Sequence, residues 1–167
     1  NHVVVMPDAN KEQTLNALVG AAFGAAGQRC MALSVAVMVG DSKQWIQELV
    51  EKAKTLKVNA GHEPNTDIGP VISKRAKARV IDLINSGVEQ GAELLLDGRN
   101  VQVQGYESGN FVGATIFSGV NTDMRIYKEE IFGPVLSIIC VDTLDEAIAL
   151  INANPFGNGV GLFTQSG

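Results

Sequence analysis

Two short stretches carry residue types that can do chemistry. The first is Phe23-Gly24-Ala25-Ala26-Gly27-Gln28-Arg29-Cys30-Met31-Ala32, where a cysteine follows a glycine-broken helical pattern and precedes a valine-rich run, Val35 to Val39. A thiolate on a turn between helix and strand can be approached by a carbonyl compound and by backbone N–H groups, and covalent acyl chemistry needs both. The alternative for a free cysteine is a small buried hydrophobe, and spacing alone does not choose between the two. Arg29, next in sequence, would favour the ionised thiol. The second stretch is Glu129-Glu130-Ile131-Phe132-Gly133-Pro134, two carboxylates and a phenyl ring on a stiff corner ahead of an apolar run. It reads either as a solvated strand start or as a carboxylate that accepts hydrogen bonds from ligand hydroxyls beside a ring packed on a ligand face.

Other candidates carry less. Cys140 lies inside Leu136-Ser137-Ile138-Ile139-Cys140-Val141 and is expected in the core, while His2 and His62 are isolated and expected at the surface or in local hydrogen bonds. Two cysteines 110 positions apart and two lone histidines give no metal-ligand spacing and no disulfide framework, so no metal is expected and a reducing compartment is. The glycine groupings Gly20 to Gly27 and Gly157 to Gly161 lack the strand, G-x-G-x-x-G and helix order of a dinucleotide loop and the lysine of a P-loop.

The elements that must position these residues follow from periodicity. Val3 to Val5 is a strand; Asn10 with Gln13 can cap a helix burying Leu15, Leu18, Val19, Ala22, Phe23 and Ala26. Leu33 to Val39 is a strand apolar on both faces, as a parallel sheet requires. Asp41 or Ser42 is expected to cap a helix burying Ile46, Leu49, Val50, Ala53 and Leu56, and 61–72 is a loop. Ser73 opens a helix with Ala76, Val80, Leu83, Ile84 and Val88 inside. Glu93 to Leu96 is a short strand, Val101 and Val103 alternate with glutamines as in an exposed ribbon, and Phe111 to Phe117 is another strand. Residues 124–134 are irregular and Val135 to Val141 is a buried strand. Thr143 with Glu146 is a capping box for a helix burying Leu144, Ala147, Ile148 and Ile151, and a last strand spans 159–164. Strands alternating with helices in this rhythm make an α/β domain with a mainly parallel twisted sheet flanked by helices.

At 167 residues the chain can bury a real core as one domain, and 46% hydrophobic with 19% charged residues is an ordinary globular composition. A formal net charge of -5 argues against nucleic acid or an anionic membrane as partner, and no apolar run approaches bilayer length. Both ends fall at strands without a cap or linker, so the chain is read as a piece of a longer protein.

The blocks Gly27-Gln28-Arg29-Cys30 and Glu129-Glu130-Ile131-Phe132-Gly133-Pro134-Val135, together with Asp67-Ile68-Gly69-Pro70 and Asn154-Pro155-Phe156-Gly157 followed by Leu162-Phe163-Thr164, resemble the aldehyde dehydrogenase superfamily in content and order. Many members carry Asn-Gln-Gly-Gln before the cysteine. The variant Ala25-Ala26-Gly27-Gln28, with Arg29, Met31 and Ala32 around the thiol and Asn1-His2 at the start, is similar to the CoA-acylating branch acting on methylmalonate and malonate semialdehyde. The resemblance implies that Cys30 attacks the aldehyde and carries a thioester, with its own backbone N–H on the oxyanion. It implies that Glu130 binds the ribose hydroxyls of NAD, that Phe132 packs near the nicotinamide, and that coenzyme A takes the acyl group as co-substrate with loss of carbon dioxide. Gln28 and Arg29 would shape the loop.

On this reading residues 1–167 are part of a catalytic, thiol-bearing domain. The NAD-binding half, the general-base glutamate of hydrolytic members and a C-terminal segment lie outside it, and the isolated chain is inactive. The expected partner is a small-molecule aldehyde, with neither nucleic acid nor membrane, and the parent is a homo-oligomer, dimer or tetramer. Its place is the bacterial cytoplasm, or the mitochondrial matrix in a eukaryote. The competing readings are a hydrolytic, acid-forming aldehyde dehydrogenase and a catalytically silent fragment.

Overall fold

Five of the six strands run parallel, and their register decides where the chain's loops meet. A computed structural model describes residues 1–167. The strands β1 (His2–Val5), β2 (Val35–Val39), β3 (Glu93–Leu96), β4 (Thr115–Ser118), β5 (Val135–Val141) and β6 (Val160–Phe163) form one sheet in the order β3-β4-β5-β2-β1-β6, with only the β3–β4 pair antiparallel. The mainly parallel α/β architecture expected from the sequence is the one observed. His2 pairs with Val35 on one side and Val160 on the other, and Val35 pairs with Ser137. The entrances of β6, β1, β2 and β5 therefore lie side by side along one edge of the sheet.

The helices α1 (Lys11–Phe23) and α2 (Ile46–Lys54) cover one face; α3 (Lys74–Glu89), the single turn α4 (Arg125–Lys128) and α5 (Leu144–Asn152) cover the other. Side-chain alternation along β2 divides the two cores. Val35, Val37 and Val39 join Val80, Leu83, Ile84, Ile126 and Ala147, while Ala36 and Met38 join Leu15, Leu18, Leu49 and Val50. Being buried on both faces is why β2 reads as an unbroken apolar run. Caps start the helices where the sequence places them. Asn10 Oδ1 accepts from Gln13 N (3.1 Å) without a return bond from the Gln13 side chain, Ser73 Oγ accepts from Ala76 N (3.1 Å), and Thr143 and Glu146 form the full reciprocal box.

Several expectations need correction. Val101 and Val103 form no ribbon. Val103 is buried with Ala60 and Phe111 in a small separate cluster, so its alternation reflects loop packing rather than a ladder. Only Thr115–Ser118 of the apolar run starting at Phe111 is paired strand. Neither Asp41 nor Ser42 caps α2: the chain makes a 3₁₀ turn over Gly40–Trp45, and Ser42 Oγ instead donates to Val5 O (3.0 Å). Val88 is exposed because the buried stripe of α3 runs through Gly87, which lies against Phe117 and Ile126. Ile148 is exposed because Ala147 takes the inward position on α5. Cys140, expected in the core, is exposed at the end of β5, although partial desolvation raises its thiol pKa. No helix is long and apolar enough to cross a membrane.

His2, expected at the surface or in local hydrogen bonds, is instead buried at 8% exposure, with Nε2 3.2 Å from the hydroxyl of the sequence-distant Tyr127. Burial pushes its pKa down to about 4 from an ordinary 6.5, because the charged ring loses its water. Between those two values the unfolded chain binds more protons than the folded one, so this contribution is complete above pH 6.5 and lost as pH falls toward 4. Thermal unfolding between pH 7 and 4.5 should show stability falling with pH, by at most about 1.4 kcal/mol per pH unit from this group. His2→Gln should flatten the slope; an unchanged slope would contradict a neutral buried His2.

Candidate active site

The loop that carries Cys30 is built by three consecutive left-handed residues. Ala25 (φ 52°), Ala26 (φ 53°) and Gly27 (φ 68°) turn the chain sharply after α1. The conformation costs alanine about 1–2 kcal/mol per residue. Such strain persists only where the surroundings enforce it, and it concentrates at functional sites. Gly27 is where the enforcement acts. A Cβ there would overlap the carbonyl of Gly133 and lie 3.0 Å from Pro134 N, so only a bare backbone lets the cysteine loop lie against the Glu130–Phe132 corner.

Side chains then fix the loop from outside. Gln28 Oε1 accepts from Ile72 N (2.8 Å), which ties the loop to the segment containing Asp67-Ile68-Gly69-Pro70. That segment is itself anchored where Asp67 Oδ2 accepts from Lys57 N (2.8 Å). Arg29 Nη2 donates to the Gly20 and Ala21 carbonyls at the end of α1 (2.8 and 3.0 Å). Its guanidinium thus serves the helix terminus, as a loop-shaping role requires, and not the thiol as its place in the sequence indicates.

The corner is held in the same way. Arg79 Nη1 donates to Ile131 O (2.9 Å), and Glu129 is ion-paired with Arg125 (2.7 Å) and with Arg79 (3.9 Å). The hydrogen bond from Arg125 holds the Glu129 carboxyl below the usual range. Glu129 is therefore a structural carboxylate. Glu130 is exposed and makes no hydrogen bond or salt bridge in the chain. Phe132 adopts φ 54°, strained for a residue with a side chain, and the residue stays 39% exposed.

These groups line one cleft of about 520 Å³ at the entrance edge of the sheet. Cys30, Glu130 and Phe132 all face it, joined by Asn1, His2, Tyr127, Phe156 and Asn158. Cys30 is exposed, and its backbone N–H finds no acceptor in the chain. An accessible thiol beside an unused N–H is the arrangement that addition to a carbonyl needs. Sequence reasoning found Cys30, Glu130 and Phe132 but gave no role to Asn1, Asn158 or His2. Asn1 and Asn158 each donate an amide N–H to the Cys30 carbonyl oxygen (2.8 Å each), and Gly159 N donates to Asn1 Oδ1 (2.9 Å). The signal available for them was topological: each lies at the entrance of a strand that neighbours β2 or β1.

The aldehyde dehydrogenase family model matches residues 1–167. The chain is 64% identical over its whole length to the mitochondrial, acylating methylmalonate-semialdehyde/malonate-semialdehyde dehydrogenases of Bos taurus and Homo sapiens, of which it covers 31%. It thus spans about a third of the length of the curated relatives it matches. A crystal structure from Oceanimonas doudoroffii, named as a methylmalonate-semialdehyde dehydrogenase, superimposes with a TM-score of 0.97 at 45% identity, over 100% of this chain and 35% of that one. A Sinorhizobium meliloti structure named for the same activity and complexed with NAD gives 0.98 at 47% identity, over 100% and 34%.

The contact between loop and corner makes a direct expectation. Gly27→Ala should cost about 3 kcal/mol or more in denaturant unfolding, combining left-handed strain with backbone overlap. Gly20→Ala, where a Cβ meets nothing within 4 Å on a helix, should be neutral or stabilising by up to about 1 kcal/mol. Equal effects would contradict the close approach.

Proposed function

The chain belongs to the aldehyde dehydrogenase family, and on that premise we propose that its parent protein is an NAD-dependent, CoA-acylating oxidoreductase. Its substrates are methylmalonate and malonate semialdehyde, converted to propionyl-CoA and acetyl-CoA with loss of carbon dioxide. The observation that carries this reading is the convergence on one cleft of an exposed thiol, its unused backbone N–H and an unpaired carboxylate beside a strained, exposed ring. Whole-length identity of 64% to enzymes named for that activity supports the choice of substrate. We take residues 1–167 as part of the catalytic domain, with the NAD-binding half and a C-terminal segment supplied elsewhere in the parent.

Cys30 Sγ attacks the aldehyde carbon and forms a thiohemiacetal, and the Cys30 N–H stabilises the oxyanion that develops. Glu130 and Phe132 fit a dinucleotide: a free carboxylate accepts from two vicinal ribose hydroxyls, and an exposed phenyl ring offers a face to the nicotinamide. NAD bound there supplies the two-electron acceptor. Loss of the aldehydic hydrogen with its electron pair, and of the hydroxyl proton, leaves a malonyl-type thioester on Sγ. Its free carboxylate departs as carbon dioxide, the electron pair of the broken C–C bond passes to the α carbon, and a proton from water there gives the propionyl or acetyl thioester. The thiolate of coenzyme A then attacks the thioester carbonyl, taking the acyl group and returning Cys30 as thiolate.

Both cysteines are free thiols, which fits a reducing compartment: bacterial cytoplasm, or the mitochondrial matrix in a eukaryote. The parent is a homo-oligomer, dimer or tetramer. β6 is an edge strand with Val160 and Leu162 exposed, a surface suited to contact with further chain.

The full-length protein given methylmalonate semialdehyde and NAD should turn over to propionyl-CoA only when coenzyme A is present, as read by chromatography of the acyl product. Release of free carboxylic acid at the same rate without coenzyme A would overturn the acylating assignment in favour of the hydrolytic one.

A further inference from the structure

The Cys30 carbonyl oxygen receives two side-chain amide donors, Asn1 Nδ2 and Asn158 Nδ2, each at 2.8 Å. A carbonyl on an exposed turn can be satisfied by water, so two long-range amides on one oxygen exceed what hydrogen-bond satisfaction demands. Their geometric effect is specific. With both lone pairs engaged from different strand entrances, the plane of the Cys30–Met31 peptide is fixed, and with it the direction of the Cys30 Cα–Cβ bond.

The two asparagines have different further duties. The Asn1 amide also donates to Ala32 O (3.1 Å) and its Oδ1 accepts from Gly159 N (2.9 Å), so Asn1 joins three loops. The Asn158 side chain has the Cys30 carbonyl as its one hydrogen-bond partner. It is exposed, on the segment between α5 and β6, and supports nothing else. We propose that Asn158 is a positioning residue for Cys30, holding the thiol and the Cys30 N–H turned toward the same carbonyl group of the substrate.

This inference rests on Cys30 as nucleophile. Misplacing a reacting atom by about 1 Å costs on the order of a hundred-fold in rate without changing what the cleft can bind. Asn158→Leu keeps the side chain's size and removes the donor; Asn158→Ala removes both. Each is made in the full-length protein, with Cys30→Ser alongside. Both Asn158 variants should lower kcat about ten- to a hundred-fold while KM for the semialdehyde stays within about two-fold. Iodoacetamide should still titrate one fast-reacting Cys30 per chain in each, and the melting temperature should not move. A merely structural role would lower the titratable thiol or the melting temperature together with activity, and that result in either variant overturns the proposal. So does wild-type kcat in both. Turnover retained by Cys30→Ser would instead remove the reading beneath it, so the two failures are distinguishable.

Discussion

Everything in this molecule depends on the parallel pairing of β6, β1, β2 and β5. Because parallel strands in matched register begin at the same level, each strand's incoming loop arrives at one edge of the sheet. The loops that enter these strands carry Asn158 and Gly159, Asn1, Cys30 and the Glu130–Phe132 corner respectively. Ligands of open parallel sheets usually sit beyond the carboxyl ends of the strands. Here the cleft is on the opposite edge, and its chemistry is assembled from residues that precede strands.

Register brings the loops near one another; a backbone contact locks two of them. Gly27 against Gly133 is a junction without side chains, and the left-handed Ala25, Ala26 and Phe132 flank it. Around this junction the polar residues divide by employment. Arg29, Gln28, Glu129, Arg79 and Asn1 are engaged with carbonyls, amides or each other, and they hold the frame. Cys30 Sγ, the Cys30 N–H and the Glu130 carboxylate are left without a hydrogen bond or salt bridge and face the cleft. Adjacent residues of similar chemistry, such as Glu129 and Glu130, thereby acquire opposite roles.

What could be read from the sequence was local. Periodicity placed α1, α3, α5 and the buried strands, because a helical stripe or a two-face apolar run reflects packing that the element itself dictates. It failed at Val88 and Ile148, where Gly87 and Ala147 take the inward position, and at Val101 to Val103, where loop burial imitates a ladder. Cys30, Glu130 and Phe132 stood out by type and spacing. Their supports did not, since Asn1 and Asn158 lie 29 and 128 positions from Cys30 and meet it only through strand order. The burial of His2 was hidden for the same reason: its partner Tyr127 is 125 positions away.

The central claim is that the thiol at this edge becomes acylated. The full-length protein, given semialdehyde and NAD without coenzyme A, quenched in acid and digested, is read by peptide mass spectrometry. The account predicts an acyl thioester on the Cys30 peptide, removed by later addition of coenzyme A, with Cys140 unmodified. Acylation of another residue, or turnover in a Cys30→Ser protein, would contradict it.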